Sequence, residues 1–259
     1  MKFIKTICQD KLGILILSNE KKSNSLNLEM LDEFVQAFSE FKEKECRVVI
    51  IRSNPGSKVW CAGLRIDQLP DAEHDPVPYE YSLEKILKSV ENFPGIVIAM
   101  IDGGVWGGGC ELAFACDILI GSAEASFAIT PAKISAPYNP NQVSRVLQRV
   151  GNNIALEMFA TADVMNAERA ASLGILNYLA NKENLEEFSL NIARKILSNA
   201  PLTIALIKKQ IHGLATQTME QLTRDENNRE FIKTVYYSQD FKEGKKAFLE
   251  KRRPQFSGK

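Results

Sequence analysis

Histidine is scarce in this sequence. Only His74 and His212 occur among 259 residues, and they lie far apart in unrelated surroundings. A histidine-based zinc site and a Ser-His-Asp triad both need histidines held beside their partner groups. The scarcity argues against both kinds of site, so no metal centre is expected and the chemistry must use other groups.

Cysteine is also sparse, with five copies and no Cys-x-x-Cys pair. An odd count, in a sequence without a recognisable signal peptide, predicts reduced thiols and a cytoplasmic location. Cys110 adjoins a glycine-rich motif, and we interpret it as a small buried hydrophobic residue.

Neither sign of charge is in excess, because Lys plus Arg and Asp plus Glu both number 32. Without a net charge, no overall field attracts nucleic acid or an anionic membrane, and neither is an expected partner. No linker or low-complexity run divides the chain. Its length suits one large α/β domain, or a core with an appended helical piece.

Apolar strands alternate with helical patterns in the first part of the chain. Strands are predicted at Ile14–Leu17, around Val49, at Ile96–Ile101 and at Ile118–Ile120, and Asn27 is placed to cap a helix. This alternation is typical of βαβ units, and the near-continuous apolar strands indicate a sheet covered on both faces.

Helical patterns dominate from about Pro140 onwards, and Pro201 suits the first turn of a helix. The predicted fold class is therefore an α/β core followed by an α-helical carboxyl-terminal region. We place the division between residues 1–195 and residues 196–259.

Two glycine-containing turns follow predicted strands. One is Gly-Val-Trp-Gly-Gly-Gly-Cys-Glu at 104–111, and the other lies in Lys-Val-Trp-Cys-Ala-Gly-Leu-Arg-Ile at 58–66. Glycine lets the backbone approach a ligand closely, and amides at a helix start face negative charge favourably. Two such amides can converge on one oxygen, each worth roughly 3 kcal/mol of barrier. The alternative for each turn alone is close packing.

The glycine run matches neither common nucleotide motif. It lacks the Gly-Lys-Ser/Thr ending of a P-loop, and it lacks the Gly-x-Gly-x-x-Gly dinucleotide pattern followed by an acid. A nucleotide enzyme is therefore not expected.

Three motifs identify a family resemblance. They are Cys-Ala-Gly-Leu-Arg-Ile at 61–66, the run at 104–117 and Ala-Phe-Leu-Glu-Lys-Arg-Arg-Pro-Gln-Phe at 247–256. Together they resemble the crotonase superfamily, also called the enoyl-CoA hydratase/isomerase family, over essentially the whole chain. The resemblance implies a spiral of βαβ turns, a trimer or hexamer, and an oxyanion hole that stabilises the enolate of an acyl-CoA thioester.

The same resemblance assigns residues to the acyl-CoA site. By position, the backbone N–H groups of Leu64 and Gly108 are the two oxyanion-hole donors. Coenzyme A enters as part of the substrate, and no permanently bound cofactor is implied. Lys251, in residues 196–259, matches a CoA-contacting position and is expected to act across a subunit boundary. Its alternative role is that of a cation at a helix end. Further matching positions that line the site are Ala62, Gly63, Arg65, Ile66 and Thr130.

Acid–base groups distinguish the reactions of this superfamily. Hydratases that resemble this chain use one glutamate at the position of Glu111 and a second at the position of Ala132. Losing one partner removes general acid–base assistance that is typically worth roughly 100-fold. Glu111 remains as a catalytic carboxyl or, alternatively, as a carboxylate at a helix N-terminus.

The segment 130–139, with Pro-Tyr-Asn at 137–139, instead resembles a decarboxylase branch of the superfamily. This resemblance implies decarboxylation of methylmalonyl-CoA to propionyl-CoA, with Tyr138 orienting the departing carboxylate. Alternatively, Tyr138 is part of a turn. Leu64 stands where that branch has histidine, so only its backbone can contribute. Two further functions stay open: hydration or isomerisation of a short-chain enoyl-CoA, and acyl-CoA binding without turnover.

Overall fold

The structure is a computed structural model that describes residues 1–65, 77–134, 138–216 and 225–259. Ile66, predicted to line the acyl-CoA site, lies outside the described residues, as does Pro137 of the Pro-Tyr-Asn motif. Within the described ranges, no helix has the length and apolar character needed to cross a bilayer.

The strands, numbered along the chain, are β1 (Ile4–Gln9), β2 (Leu12–Leu17), β3 (Val48–Ser53), β4 (Val59–Cys61), β5 (Ile96–Ile101), β6 (Gly104–Trp106), β7 (Ile118–Gly121), β8 (Ser126–Ala128), β9 (Met165–Asn166) and β10 (Tyr178–Leu179). The α-helices are α1 (Leu28–Glu43), α2 (Val77–Glu91), α3 (Gly108–Ala115), α4 (Pro140–Val150), α5 (Asn152–Thr161), α6 (Ala167–Ser172), α7 (Leu185–Leu197), α8 (Pro201–Thr216), α9 (Glu226–Tyr237) and α10 (Gln239–Leu249). Short 3₁₀ helices cover Glu20–Lys22, Pro131–Ile134 and Lys182–Asn184.

The larger sheet has the strand order β1-β2-β3-β5-β7-β10. Only the β1–β2 pair at its edge is antiparallel, and the pairs from β2 through β10 are parallel. Parallel neighbours need crossover connections, which α1, α2 and α3 supply between successive strands. The βαβ organisation predicted from the alternating pattern is confirmed.

Both faces of the larger sheet are covered. Along β3, Val49 and Ile51 join a core that includes residues of α1 and α2, such as Phe34. The alternate residues, Val48 and Ile50, join a second core with side chains of α7. Because successive side chains in a strand point to opposite faces, β3 is buried at all six of its positions. This arrangement confirms the covered sheet expected from the apolar strands.

A second, smaller sheet has the order β4-β6-β8-β9 and was not predicted. Its strands have only two or three residues, too few to give a periodic signal in the sequence. β4 and β6 run parallel, with Val59 opposite Gly104 and Cys61 paired to Val105. Parallel neighbours end at the same edge, so the two glycine turns that follow them are brought side by side.

The carboxyl-terminal helices are tied to the core by buried polar contacts. Lys208 of α8, 6% exposed, donates to Asp117 at 2.8 Å and to the carbonyl oxygen of Gly95 at 3.1 Å. Asp240 of α10 accepts from the backbone N–H groups of Ser257 and Gly258, which folds the tail back onto that helix. The predicted helical region is confirmed.

Candidate active site

The two glycine turns are in direct contact. Gly63 has φ +77°, which favours glycine, and a Cβ built there would lie 2.6 Å from the Trp106 carbonyl oxygen and 2.7 Å from the Gly108 amide nitrogen. In turn, a Cβ on Gly108 would lie 3.4 Å from the Leu64 amide nitrogen. The absence of side chains thus lets two backbone amides from different strands share one small region.

The Leu64 amide is left without an internal acceptor by the local strand pairing. Leu26 donates to the Gly63 carbonyl at 2.7 Å and accepts from the Arg65 N–H at 3.1 Å. Since alternate residues of an extended segment point in opposite directions, the Leu64 N–H faces away from Leu26. Within the described residues it meets no hydrogen-bond acceptor.

The Gly108 amide is also unpaired, because it opens α3. Gly107 is the N-cap residue with φ +50° and ψ −119°, a conformation that suits glycine, and its own N–H donates to Ala128 at 2.9 Å. The first N–H groups of a helix have no intrahelical acceptor and carry the positive end of its dipole. Among the described residues the Gly108 N–H has no other acceptor.

Glu111 lies one helical turn after Gly108 and is 1% exposed. Burial raises the pKa of this carboxyl to about 7, although Arg145, the Tyr138 hydroxyl and Gln142 act in the opposite direction. A carboxyl group with a pKa near neutrality can both accept and release a proton in that range. The position therefore suits acid–base chemistry beside the two amides.

Gln142 holds one oxygen of this carboxyl. Its Nε2 donates to Glu111 Oε1 at 3.0 Å, while its Oε1 accepts from the Asn139 N–H at 2.8 Å. The Asn139 side chain accepts from the Gln142 N–H, which completes a capping box at the start of α4. The helix cap therefore fixes the orientation of the amide that faces Glu111.

Tyr138 immediately precedes this cap and faces the same carboxyl. Its ring packs edge-on against Phe159, with the centroids 5.1 Å apart. Burial raises the pKa of Tyr138, and the charge of Glu111 raises it further. The hydroxyl therefore stays protonated and available as a donor.

The remaining predicted residues fall into two groups. Ala62 and Arg65 flank the Gly63 turn, and Thr130 follows β8, where its hydroxyl would be 3.9 Å from a Cβ on Gly107. Lys251 is exposed beyond the end of α10, and within the described ranges it forms no hydrogen bond or ion pair with either turn. Its expected contact with CoA stays a prediction.

Two neighbouring positions are explained by their surroundings. Ala132 is exposed in the 3₁₀ helix Pro131–Ile134. Since alanine has no carboxyl group, this position lacks the glutamate expected in hydratases of the superfamily. Cys110 is fully buried, and its thiol donates to the Val105 carbonyl at 3.1 Å. Burial raises the pKa of this thiol, which is inert and fills the core as expected.

Comparison with known proteins shows the family to which the chain belongs. The sequence model of the family described as enoyl-CoA hydratase/isomerase matches residues 9–259. The chain belongs to this family. Methylmalonyl-CoA decarboxylase of Escherichia coli (strain K12) is 34% identical over 260 residues, which cover 99% of this chain and 98% of that protein. Mitochondrial enoyl-CoA hydratase of Pongo abelii is 30% identical over 248 residues, covering 95% and 83%.

A solved structure of an enoyl-CoA hydratase/isomerase relative supports the fold. Methylmalonyl-CoA decarboxylase in complex with 2-nitronate-propionyl-CoA is 34% identical, covers 99% of both chains and has a TM-score of 0.80. The crotonase-like fold is therefore shown, and the family name denotes chemistry on enoyl-CoA thioesters. Decarboxylases and hydratases both occur among the relatives, so family membership alone does not select the reaction.

Sequence reasoning missed two side chains next to Glu111. Gln142 had a detectable signal, since Asn139-Pro140-x-Gln142 has the spacing of a capping box. Arg145 contacts acids of α2 and faces Glu111 at 3.8 Å. No local motif indicates these contacts, because those with α2 join residues more than fifty positions apart and that with Glu111 joins residues 34 positions apart.

Proposed function

We propose that this protein decarboxylates methylmalonyl-CoA to propionyl-CoA. The two unpaired amides of Leu64 and Gly108 would bind the thioester oxygen, as a pair of donors directed at one developing negative charge. The bond between the α-carbon and the carboxylate breaks, its electron pair passes into the thioester as an enolate, and CO2 leaves. The α-carbon then takes up a proton, which gives propionyl-CoA.

The observation that carries this proposal is the composition of the site around the two amides. In the described part of the chain, Glu111 lies one helical turn after Gly108, and Ala132 stands at the position that the family resemblance gives to a second glutamate. A hydration mechanism that uses two carboxyl groups would therefore lack the second one in this protein. Decarboxylation needs no strong base, because the departing CO2 leaves the electrons behind.

Two side chains have distinct roles in the proposal. Tyr138, held protonated by burial, would donate to the substrate carboxylate and orient it. Glu111, with a pKa of about 7, would deliver the proton to the enolate carbon. The same property of Glu111 favours the second candidate function, isomerisation or hydration of a short-chain enoyl-CoA. In that reaction a single carboxyl group would both accept and release the proton.

The coenzyme and the assembly complete the proposal. We infer that Lys251 contacts the CoA moiety of the substrate from a neighbouring subunit of a homotrimer or hexamer. Exposed apolar side chains support such an assembly: Phe248 is 84% exposed, Leu249 77% and Ile211 60%. Exposed apolar surface of this kind is typical of subunit contacts.

The test is a parallel incubation with methylmalonyl-CoA and with crotonyl-CoA, followed by mass spectrometry of the acyl-CoA products. Propionyl-CoA from the first substrate and no 3-hydroxybutyryl-CoA from the second is the expected result. Hydration of crotonyl-CoA without decarboxylation would replace the proposal with the second candidate. Binding of both thioesters without product would indicate acyl-CoA binding without turnover.

A further inference from the structure

A buried arginine outside the predicted site connects Glu111 to helix α2. Arg145 of α4 has a side chain only 9% exposed. Its Nε donates to Glu91 Oε1 at 2.6 Å, and its Nη2 lies 3.3 Å from both carboxylate oxygens of Glu84. These two acids restrain the guanidinium from the α2 side.

The third side of the guanidinium faces Glu111 without a hydrogen bond. Arg145 Nη1 lies 3.8 Å from Glu111 Oε2, and both atoms are buried with no hydrogen-bond partner in the described residues. A buried charged donor left beside a buried acceptor is costly, and the pair would gain by closing. The contacts with Glu84 and Glu91 oppose that closure.

The charge balance of this cluster favours a neutral Glu111. Glu84 and Glu91 already compensate the single charge of Arg145, and the exposed Lys88 reaches only the Glu84 side, at 3.9 Å. Ionised Glu111 would therefore be a buried negative charge whose positively charged partner, Arg145, lies 3.8 Å away and is shared with two other acids.

Within the described ranges, the other groups that face Glu111 bring no positive charge. They are the hydroxyl of Tyr138, the amide of Gln142 and the thiol of Cys110. Among the described groups around this carboxyl, Arg145 is the cation that favours the ionised form of Glu111. The distance between its guanidinium and the carboxyl sets the strength of this effect.

We propose that Arg145 is a positioning residue for Glu111. Glu84 and Glu91 restrain its guanidinium 3.8 Å from the Glu111 carboxyl, so the charge of Arg145 acts on that carboxyl without a direct hydrogen bond. The benefit of this separation for proton delivery to the enolate rests on the proposed function. The separation itself is a property of the substrate-free protein.

The proposal predicts opposite shifts for two variants. Arg145→Gln removes the cation, so ionised Glu111 loses its partner and the carboxyl titrates about one pH unit higher. Glu91→Gln replaces the charged acceptor of the 2.6 Å contact by a neutral one. The hold on the guanidinium is weaker and a nearby negative charge is gone, so the Glu111 carboxyl titrates about one pH unit lower. If Arg145 only packed α4 against α2 and did not act on Glu111, removing its charge in Arg145→Gln would leave the Glu111 midpoint in place.

The experiment is an infrared titration of the substrate-free protein that follows the stretching band of the protonated carboxyl. The band is assigned to Glu111 by its loss in Glu111→Gln. Arg169→Gln removes an arginine from an exposed ion pair with Glu157 and is the control expected to leave the midpoint unchanged. Circular dichroism checks that each variant is folded, and Arg145→Lys keeps the charge if Arg145→Gln does not fold.

The outcomes separate this inference from the proposed function. Opposite shifts of the midpoint support the positioning role whether or not propionyl-CoA is formed. When propionyl-CoA is formed, the pH profile of kcat should shift in the same directions. Unchanged midpoints, or shifts of the same sign in Arg145→Gln and Glu91→Gln, would overturn the proposal.

Discussion

The α-carbon of Gly63 faces the amide of Gly108 so closely that a Cβ added to Gly63 would come within 2.7 Å of that nitrogen. The contact joins turns from two different strands. Each turn contributes one N–H that has no acceptor among the described residues, and neither glycine has a side chain that would separate the turns. The oxyanion-hole proposal depends on this contact.

Gly63→Ala is expected to separate the two amides. A methyl group at this position meets backbone atoms, which cannot move aside as a side-chain end can. Displacing one donor should lower kcat by about 100-fold or more. Gly56→Ala is the matched control, because Gly56 has a similar φ of +81° but open space around it. Equal activity in both variants would contradict the role of the contact.

Tyr138→Phe is expected to lower turnover while leaving substrate affinity nearly unchanged. The substitution removes the hydroxyl but keeps the ring that packs against Phe159. We expect kcat for propionyl-CoA formation to fall at least tenfold, the scale of one lost hydrogen bond to a charged group. Tyr178→Phe makes the same change in a tyrosine that packs edge-on against Phe188. Full turnover in Tyr138→Phe would remove Tyr138 from the mechanism.

The pH dependence of stability should reveal the raised pKa of Glu111, which lies at about 7 instead of the usual 4.5. The folded state then binds this proton more tightly than the unfolded state does. Folding stability therefore decreases as the pH rises from about 4.5 to about 7, by about 3 kcal/mol for this group.

Glu111→Gln lacks this decrease. Its free energy of unfolding, measured by urea titration, should therefore rise relative to that of the wild type between about pH 4.5 and 7. Glu157 provides the opposite case, because its hydrogen bond with Arg169 lowers the pKa of that exposed carboxyl. Glu157→Gln should therefore lose stability relative to the wild type as the pH rises towards 4.5, with no further change above that pH. A constant offset between wild type and Glu111→Gln from pH 4.5 to 8 would contradict the raised pKa.

Lys251→Gln should weaken the interaction with CoA phosphates without affecting the bond that breaks. We expect KM for the acyl-CoA to rise by about two- to fivefold, the loss of one exposed charge pair, with kcat unchanged. Lys242→Gln, on the exposed surface of α10, controls for charge alone. The same KM in both variants would argue against the CoA contact.

Many elements of this fold are predictable from local patterns. β5 is observed at the predicted Ile96–Ile101, and Asn27 accepts from the Met30 N–H at the start of α1 as a capping residue should. β1 was missed, because Lys5 and Gln9 interrupt its apolar character at the edge of the sheet. Short strands and edge strands carry too little periodic signal to be recognised.

Local sequence is enough to predict where glycine permits close backbone approach and which residues precede and follow the two turns. The reason is that φ preferences and helix starts depend on neighbouring residues. Which groups come into contact depends on how distant segments pack. The pairing of β4 with β6 brings Leu64 and Gly108 together, and Gln142 reaches Glu111 across 31 positions. Contacts between distant residues, and the burial that raises the pKa of Glu111, follow from packing and have no counterpart in local sequence.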